Sequence, residues 1–550
     1  MTVERETSVL IVGAGPVGLT LAMDLAARGI DVTVVETRHR GDPPSVKCNH
    51  VSARSMEIFR RLGVARKVRN AGLPDDYPND VSYRTTTTGI ELTRIPIPSR
   101  KERFIATEGP DTWWPTPEPP HRINQIYLEP ILFEHAEAMP KVTILCRNSA
   151  EGFVQDTDGV TTVLVDLETG RELTVRARFM VGCDGGRSRV RKAIGAKFVG
   201  DAVVQRVQST YIRAPGLIPL LQAPPAWSMF SLNPRRSGNV YAIDGQEKWL
   251  VHNYLKEDEA DFESVDRDWA IRTILGVGAD FEYEVLGRED WYGRRLVADR
   301  FRDRRVFICG DAAHIWVPYA GYGMNAGIAD AANLAWMMAA HLNGWAPDTI
   351  LDAHEAERQP ITEQVSRFAM DHAHAMARQR GGVPSDIEDS GPQGESRRRE
   401  MGRKAYDLNV QQYCCGGLNF GYFYDCSPII AYDGHEQPAY SMDRFAQSTV
   451  PGCRTPHVFL RDGTSLYDHM GDGYTLLVLD PSLDVSPIVR AAQDSRMPFT
   501  VLHLDRSEAG DVYDCKLVLS RPDQHIAWRG DCLPSDPQAL VDKIRGLAPA

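Results

Sequence analysis

The sequence predicts an α/β protein built from two or three packed units, and three observations support this fold class. A mostly apolar run at residues 8–12 leads into a glycine-rich turn and then into a helical pattern. Two later apolar runs, at residues 179–183 and 305–309, lead into acidic residues. After residue 446, short strand-like and helix-like runs alternate, as they do in a small α/β unit. A chain of 550 residues is also too long for a single core, so several units are expected.

The composition is that of a folded protein with a small-molecule partner. Hydrophobic residues make up 43% and charged residues 25% of the chain, near the average for globular proteins. The formal net charge of -12 argues against a nucleic-acid partner, because phosphate binding requires a basic face. No run approaches the roughly 18 uninterrupted apolar residues of a membrane span, and the N-terminus lacks the order of a signal peptide. We therefore expect a cytoplasmic protein that binds a small organic molecule and no membrane.

The chain contains ten cysteines, and none of them forms a CxxC pair or a metal-finger spacing. Reduced buried or surface thiols are the expected state. The sequence predicts no metal site.

The N-terminal turn has the glycine spacing of a dinucleotide-binding unit. Gly13 would form the tight turn, Gly15 would let the backbone approach a pyrophosphate, and Gly18 would let the helix pack on the strand. Pro16 and Val17 begin that helix, and a helix N-terminus is where a pyrophosphate binds. The glycine motif alone is weak evidence, since chance gives roughly 0.3 matches in a chain of this glycine content.

The next strand strengthens the nucleotide hypothesis. Residues 31–35 form a strand-like run that ends at Glu36, which Thr37 follows. An acidic residue at this distance accepts hydrogen bonds from ribose hydroxyls. A surface carboxylate without a ligand is the simpler alternative, but the surrounding βαβ pattern favours a nucleotide role.

A second acidic strand end lies far downstream. The run 305–309 leads into Gly310 and Asp311, and a side chain in this position of an open sheet points into the ligand crevice. The loop after it and the long helix from Met324 onward would offer backbone N–H groups to an electron-rich ring or an oxyanion. The residues expected there are Pro318, Gly321, Gly323, Met324 and Asn325. This pattern is typical of a flavin site.

A third motif lies between the other two. The strand-like run 179–183 leads into Asp184 and Gly185 and then into a basic helix start. An Asp-Gly pair alone indicates only a turn.

In this order, the three motifs resemble the single-component flavin-dependent aromatic hydroxylases, the family typified by para-hydroxybenzoate hydroxylase and phenol hydroxylase. The resemblance covers about residues 8–375. It implies FAD as the cofactor, NADPH or NADH as a transient co-substrate, O2 as the oxidant and a small aromatic substrate. In this family the reduced flavin and O2 form a hydroperoxide at flavin carbon 4a, and its distal oxygen passes to a phenolic ring.

The resemblance also implies roles for individual residues. Gly13, Gly15, Gly18 and Glu36 would hold the ADP half of FAD, Asp311 the ribityl chain, and residues 318–325 the isoalloxazine ring. Asp184 belongs to the motif that serves both FAD and NAD(P)H, while Gln125 and Arg54 match family positions in the cofactor domain. Lys47 stands where many relatives have arginine, which keeps the charge but loses the planar fork.

The middle of the chain would provide the substrate pocket. Residues 199–289 are rich in strand-like runs, and in the resembling family a sheet at this place covers the flavin. The pocket candidates are Trp227, Met229, Tyr241, His252, Trp291 and Tyr319. Core packing is the commoner role for any single one of them. Deprotonating the substrate hydroxyl favours hydroxylation, so His252 and Tyr241 are candidate catalytic residues together with Pro318.

These expectations divide the chain into interleaved units. A Rossmann-like FAD-binding domain would comprise residues 1–78, 118–198 and 290–377, and a β-sheet substrate domain residues 79–117 and 199–289. Residues 378–445 begin with a stretch rich in Gly, Ser, Pro and charge, which predicts a mobile, exposed linker. Residues 446–550 resemble the thioredoxin-like C-terminal domain of longer family members. Because it lacks a CxxC pair, we expect it to have a structural role or to support a homodimer.

Three alternative functions stay open at this point. The same scaffold can carry out Baeyer–Villiger insertion or epoxidation of a polyketide. A flavin dehydrogenase or reductase would transfer no oxygen, and a scaffold protein would have no catalysis at all. The intact Gly310-Asp311 pair and the 318–325 segment argue against the scaffold, and oxygen uptake with product formation separates the dehydrogenase.

Overall fold

The computed structural model describes residues 4–318 and 321–547. The described strands form three sheets of eight, nine and four strands. In chain order they are β1 (Arg5–Val12), β2 (Val32–Glu36), β3 (Val81–Arg84), β4 (Glu91–Ile95), β5 (Val142–Cys146), β6 (Asn148–Gln155), β7 (Val160–Asp166), β8 (Glu172–Gly182), β9 (Phe198–Arg213), β10 (Ser228–Ser231), β11 (Gly238–Ala242), β12 (Lys248–Tyr254), β13 (Glu284–Arg288), β14 (Trp291–Ala298), β15 (Arg302–Asp303), β16 (Val306–Ile308), β17 (His314–Ile315), β18 (Tyr474–Val478), β19 (Phe499–His503), β20 (Leu517–Ser520) and β21 (Ile526–Gly530).

The helices surround these sheets. In chain order they are α1 (Pro16–Ala27), α2 (Ala53–Arg61), α3 (Ala65–Arg69), α4 (Gln125–Glu137), α5 (Arg189–Ala193), α6 (Arg267–Leu275), α7 (Tyr322–Leu342), α8 (Asp352–Gly381), α9 (Pro392–Tyr413), α10 (Ser486–Asp494), α11 (Arg506–Ala509) and α12 (Pro537–Ile544). Within the described part of the chain, no helix combines the length and the apolarity of a membrane span. The architecture is mixed α/β with several sheets, as the sequence predicts.

The first sheet is mostly parallel. Its strands follow the order β15-β16-β8-β1-β2-β5, and β6 and β7 extend it antiparallel beside β8. Gly182, at the end of β8, pairs with Val12 of β1 and with Ile308 of β16. In open α/β sheets, ligands bind outside the carboxyl ends of such strands. The residues that follow these three strands therefore meet at one edge of the sheet.

The second sheet is mainly antiparallel. Its order is β17-β14-β9-β12-β11-β10-β3-β4, with β13 beside β9. The sixteen-residue strand β9 pairs with β12, β13 and β14 and forms the backbone of the sheet. Helix α6 packs on one face of this sheet: a Cβ added to Gly238 of β11 would lie 2.4 Å from Ile274. The opposite face is left for other contacts.

The C-terminal unit has a four-stranded mixed sheet in the order β19-β18-β20-β21, with β18 and β19 parallel. Its core is continuous with that of the first sheet. Tyr474 of β18 packs edge-on against Trp336 of α7, with ring centroids 6.0 Å apart, and its hydroxyl donates to the carbonyl of Ile544 over 2.7 Å. The unit is thus packed against α7.

The turn between β20 and β21 reaches deep into the rest of the protein. Arg521, fully buried, donates to both carboxylate oxygens of Glu357 on α8, over 2.5 and 2.9 Å. It also donates to the carboxylate of Asp523. Buried ion pairs of this kind lock two surfaces together, because either charge left alone would be costly.

The predicted linker 378–445 contains regular structure, which corrects the expectation of a mobile, exposed connection. Helix α8 extends to Gly381, and α9 runs over 22 residues from Pro392. A Cβ added to Gly402 of α9 would lie 2.2 Å from the carbonyl oxygen of Leu92, so α9 lies directly on β4. The many charges of this segment lie on the outer side of α9, while small and apolar residues such as Met401 and Ala405 are buried. Because exposed charged residues dominate this stretch, the helical spacing of its buried residues is hard to recognise in the sequence.

Candidate functional site

The first turn of the site is built from three glycines with different requirements. Gly13 has φ +108°, and a Cβ there would lie 2.4 Å from the carbonyl oxygen of Cys183. A Cβ at Gly18 would lie 2.0 Å from the carbonyl oxygen of Gly13. A Cβ at Gly15, the N-cap of α1, would meet no protein atom within 4 Å. Protein packing therefore requires Gly13 and Gly18, whereas Gly15 leaves open space at the helix N-terminus beside Pro16.

Glu36 lies beside this turn at the end of β2. Its carboxylate accepts a hydrogen bond from the backbone N–H of Ala14 over 2.9 Å and from the backbone N–H of Arg38 over 3.0 Å. Thr37 donates its hydroxyl to the same carboxylate over 3.3 Å. Burial alone would raise the pKa of Glu36, but the hydrogen bonds and charge of Arg38 outweigh it and lower this pKa. Glu36 is thus an ionised acceptor at neutral pH.

The glycine turn and Glu36 open onto a cleft of about 380 Å³. The cleft is also lined by Asp184 and by Arg187 and Arg189 of the third motif. Asp184 Oδ2 accepts from the backbone N–H of Arg189 over 2.7 Å, but its buried Oδ1 has no hydrogen-bond partner in the described part of the chain. A buried acceptor without a donor suits a ligand hydroxyl or amide. These residues fit a nucleotide.

The Gly310-Asp311 turn is held by a buried network. Asp330 of α7 accepts from the backbone N–H of Gly310 over 3.2 Å, from His314 Nε2 over 2.6 Å and from Arg358 Nε over 2.8 Å. Asp330 is fully buried. Its network fixes the carboxyl end of β16 relative to α7 and α8.

The sequence interpretation missed Asp330 and the roles of His314 and Arg358. The signal was present as a carboxylate inside an apolar helix, where a charge needs a partner. Val17 of α1 packs beneath the same turn, since a Cβ at Gly310 would lie 3.0 Å from its methyl group. The turn thus rests on α1 as well as on α7.

Asp311 is exposed to solvent next to this network. The loss of hydration caused by the surrounding protein raises the pKa of Asp311, and the charges of His314 and Lys47 partly lower it again. Lys47 is more than half exposed and forms an ion pair with Glu289. Lys47 therefore lies near Asp311, as its predicted place at the cofactor requires.

Gln125 is the first residue of α4. Its backbone N–H donates to the carbonyl of Cys48 over 2.9 Å, and its side chain donates to Glu129 over 2.9 Å. These bonds tie α4 to the loop that carries Lys47. Gln125 is partly exposed at this junction.

Arg54 was expected at the cofactor, and the structure corrects this. Its guanidinium is buried and donates to Glu57 over 2.9 Å, to the Gln524 side chain over 2.5 Å and to the carbonyl of Asp523 over 2.5 Å. Glu57 in turn forms a buried ion pair with Arg454. The first turn of α2 points Arg54 towards the C-terminal unit, so its donors are used at that interface.

Asn325 holds the start of α7 in place. Its side-chain oxygen accepts from the backbone N–H of Ser52 over 2.8 Å, and its amide donates to the carbonyls of His50 over 3.0 Å and Gly321 over 2.7 Å. Gly321 is the N-cap, with φ +61°. The side chain of Asn325 therefore acts on the protein, and the backbone N–H groups of the first turn remain for a ligand.

The other predicted residues of this segment lie around the same helix start. Pro318 is exposed, and its carbonyl accepts from the backbone N–H of Gly321 over 3.3 Å. Gly323 and Met324 are partly exposed, and a Cβ at Gly323 would meet no protein atom within 4 Å. Tyr319 lies outside the described residues. The N-terminus of a 21-residue helix carries a partial positive charge that favours an electron-rich ligand.

An aromatic face of the second sheet lies next to this helix start. Tyr241, His252 and Trp291 share one face, with ring centroids 5.5 Å apart between the first two and 5.9 Å between the last two. Trp227 adds to this face, 5.3 Å from Tyr241. A Cβ at Gly293 would lie 2.6 Å from Val317 on the segment before α7. Gly293, on the same face as Trp291, therefore lies against the segment that precedes α7.

Burial lowers the pKa of His252 to about 4. Its imidazole is therefore neutral at pH 7 and has a nitrogen that can accept a proton. The face offers flat apolar surface for a ring together with one neutral base.

Met229 does not belong to this face, which corrects its assignment to the pocket. Met229 pairs with Val240, whereas Tyr241 pairs with Leu250 and Ser228. Successive side chains of a strand point to opposite faces, so Met229 points away from Tyr241. It is fully buried in the core of the second sheet. Strand register, which the sequence did not fix, decides the difference.

Comparison with known proteins agrees with this geometry. The FAD binding domain family matches residues 6–369, and the family described as aromatic-ring hydroxylase, C-terminal, matches residues 448–547. The chain belongs to the FAD-dependent aromatic-ring hydroxylase family and is an enzyme of the monooxygenase type. The predictions of this family and of its FAD-binding domain are confirmed.

Similar proteins act on very different ring systems. Phenol 2-monooxygenase of Pseudomonas sp. is 28% identical over 98% of this chain and 93% of its own length. The tetracenomycin B2 monooxygenase-dioxygenase of Streptomyces olivaceus is 30% identical over 98% of both chains. The structure of RebC with bound 7-carboxy-K252c is 34% identical, with a TM-score of 0.89 over 99% of this chain and all of that one.

Proposed function

We propose that this protein hydroxylates a phenolic aromatic substrate with NAD(P)H and O2. The observation that carries this proposal is the contact between Gly293, on the aromatic face, and Val317, in the segment that precedes α7. Tyr241, His252 and Trp291 lie on the sheet face that meets Val317, directly before the predicted flavin loop. A ring bound on that face would lie within reach of a flavin ring held at the helix N-terminus.

The residues of the crevice fit FAD. Gly15 and Glu36 would hold its pyrophosphate and ribose, Asp184 a hydroxyl of the same half, and Asp311 the ribityl chain. The backbone of residues 321–325 would hold the isoalloxazine ring. Bound FAD would supply electron transfer from NAD(P)H and the activation of O2. The protein supplies position and excludes water.

His252 is the proposed base of the reaction. A neutral imidazole on the aromatic face can accept the proton of the substrate hydroxyl, which makes the ring more nucleophilic. Tyr241 lies beside His252 and would orient the ring, and Pro318 would position the loop between the substrate and the flavin. Trp227 and Trp291 would bound the ring at its edges.

Oxygenation of a fused-ring polyketide is a second candidate, and the names of the relatives favour it. The tetracenomycin B2 relative is a monooxygenase-dioxygenase, and a further similar structure, 27% identical with a TM-score of 0.81, is aklavinone-11 hydroxylase with FAD and aklavinone. Baeyer–Villiger insertion or epoxidation would then replace ring hydroxylation. The dehydrogenase or reductase without oxygen transfer, which the sequence left open, does not agree with membership of a monooxygenase family.

The test is NAD(P)H oxidation and O2 uptake with a panel of phenols, naphthols and fused-ring phenols. Hydroxylated product and H2O2 are quantified together. We expect at least one phenolic ring to accelerate flavin reduction and to yield product equal to the NAD(P)H consumed. Flavin reduction without hydroxylated product for every phenol would overturn the proposal, and conversion of ketones or polyketides alone would support the second candidate.

The architecture of the other units is part of the proposal. We propose that the first sheet marks a cofactor domain and the second sheet a substrate domain, which extends beyond the predicted boundary at residue 289 to include β14 and β17. The mixed sheet β19-β18-β20-β21 supports a thioredoxin-like C-terminal unit, which lacks a CxxC pair. Its contacts with α2 and α8 support a structural role, and a homodimer and a cytoplasmic location remain proposals for solution experiments.

A further inference from the structure

Arg122 is a buried cation with an unusual set of partners. Arg122 is 4% exposed and lies just before α4. Nη1 contacts His50 Nδ1, Nη2 donates to the carbonyl of Tyr413 over 3.3 Å, and Nε has no hydrogen-bond partner among the described residues. Both partners are neutral groups.

The charge of Arg122 is only partly compensated, by the nearby carboxylate of Asp111. Among the residues that the structure describes, none forms an ion pair with Arg122. Asp111 is nearby, but Arg103 pairs with it over 2.8 Å and Trp114 donates to it over 2.8 Å. Burial, followed by the charge of Arg122, lowers the pKa of His50, so His50 adds no compensating charge. An arginine keeps its charge in such surroundings, and a buried unpaired charge is costly.

The location of Arg122 links the two halves of the site. Its guanidinium lies 4.5 Å from the centre of the Trp227 ring, and Trp227 lies 5.3 Å from Tyr241 on the aromatic face. On the other side, a Cβ at Gly321 would lie 3.0 Å from His50. Arg122 therefore lies between the aromatic face and the start of α7.

We propose that Arg122 recognises an anionic oxygen of the aromatic substrate, either a carboxylate or an ionised phenol. This inference rests on the proposed function of the site. The guanidinium is already desolvated and held by neutral groups, so its binding strength remains for a ligand anion. Its free Nε and the fork geometry suit a carboxylate, and the same charge would favour the ionised form of a phenol.

The experiment measures ligand dissociation constants from the change in flavin absorbance. The ligands are 1-naphthol, 1-naphthoate and 1-hydroxy-2-naphthoate, tested on the wild type and on Arg122→Gln and Arg122→Lys. We expect the naphthoates to bind the wild type at least tenfold more tightly than naphthol at neutral pH. Arg122→Gln should weaken the naphthoates about 10- to 100-fold and naphthol less than about threefold. Arg122→Lys should recover part of the loss, because it keeps the charge.

Further arms separate the sources of the effect. If the ionised phenol is the ligand, 1-naphthol should bind more tightly as pH rises in the wild type but not in Arg122→Gln. The matched control is Arg69→Gln, a buried arginine that pairs with Glu118 over 2.9 Å. Arg69→Gln should change the dissociation constants of all three ligands by a similar factor. FAD content checks that each variant retains the cofactor.

Three results would overturn the proposal. If the wild type binds naphthol as tightly as the naphthoates at every pH and oxidises NAD(P)H with coupled product, Arg122 does not recognise an anion and the hydroxylase function stands. Equal losses for all three ligands in Arg122→Gln would assign Arg122 a purely structural role. If none of the phenols in the wider panel stimulates NAD(P)H oxidation, the proposed function fails and this inference fails with it.

Discussion

Replacing Asp330 by asparagine removes the charge at the centre of the Gly310 network while keeping the shape of the side chain. Asp330 is fully buried and accepts three hydrogen bonds, from Gly310, His314 and Arg358. The variant leaves Arg358, 1% exposed, without a carboxylate, and one of its nitrogens already has no partner.

The expected loss follows from this burial. Breaking a buried ion pair by removing one partner costs about 3–5 kcal/mol of unfolding free energy. At about 2.1 cal/mol/K of unfolding entropy per residue, a chain of 550 residues shifts by about 0.9 °C per kcal/mol, so the apparent Tm should fall by about 3–4 °C. FAD should also bind more weakly, because the single amide oxygen of asparagine cannot replace both carboxylate oxygens that accept from Gly310, His314 and Arg358, and the Asp311 turn relaxes.

The assay is thermal and urea unfolding of the FAD-free and FAD-loaded protein, with FAD affinity measured by fluorescence. Asp352→Asn is the control, since Asp352 lies on α8 and is 64% exposed in its ion pair with Arg302. Its loss should stay within about 1 kcal/mol. A change below 1 kcal/mol in Asp330→Asn would refute the reasoning.

The pH dependence provides a second check on the same residue. Burial alone would raise the pKa of Asp330, but His314 and Arg358 outweigh it and lower this pKa. A carboxyl group with a lowered pKa in the folded state stabilises the protein above its ordinary pKa of about 4, and the stabilisation disappears on acidification. The wild type should therefore lose more stability below pH 4 than Asp330→Asn does.

Three other predictions concern separate parts of the molecule. Gly13→Ala should destabilise even the FAD-free protein, because its Cβ would lie 2.4 Å from a backbone atom. Gly15→Ala should change the unfolding free energy of that protein by less than about 0.5 kcal/mol but weaken FAD binding. If unfolding and FAD titrations showed equal effects for the two variants, this contrast would be contradicted. Because the pKa of His252 is about 4, the acid limb of the kcat/KM profile should lie near pH 4–5. The free energy of unfolding should fall as pH drops from about 6.5 towards 4. An acid limb at about pH 6.5 in the pH–rate profile would exclude His252 as the base. Arg521→Met should lower the free energy of unfolding by about 3–5 kcal/mol and speed proteolysis of the C-terminal unit. Adding Glu357→Gln should recover part of that loss. Additive losses in the double variant would show that the two side chains do not act as a pair.

Local sequence was sufficient where each residue's role depends on its own neighbours. The glycine turn, the strand ending at Glu36 and the Gly310-Asp311 pair all arise from short stretches with defined spacing. Gly15 illustrates the limit of this argument in a useful way. Its backbone would tolerate a side chain, so its glycine is explained by a ligand that only the motif suggested.

Long-range contacts decided the features that the sequence did not predict. Arg54 lies beside residues 523 and 524, which are almost 470 positions away along the chain. The orientation of Met229 depends on strand register, and α9 was hidden because its outward charges dominate its composition. The hydrogen-bond partners of Asp330 are recognised only once α7 and α8 are packed together around β16. None of these contacts has a signature in the spacing of neighbouring residues.

The buried ion pairs at the C-terminal turn also set an order of events during synthesis. Glu357 meets Arg521 after 164 further residues, and Glu57 meets Arg454 after 397. At about 5–20 residues per second, the first interval alone lasts on the order of 10–30 s on the ribosome. Until then Glu357 must stay in water, because burying it without Arg521 is too costly, whereas Glu57 can already pair with Arg54. Final packing of α8 against the C-terminal unit is therefore a late step in folding.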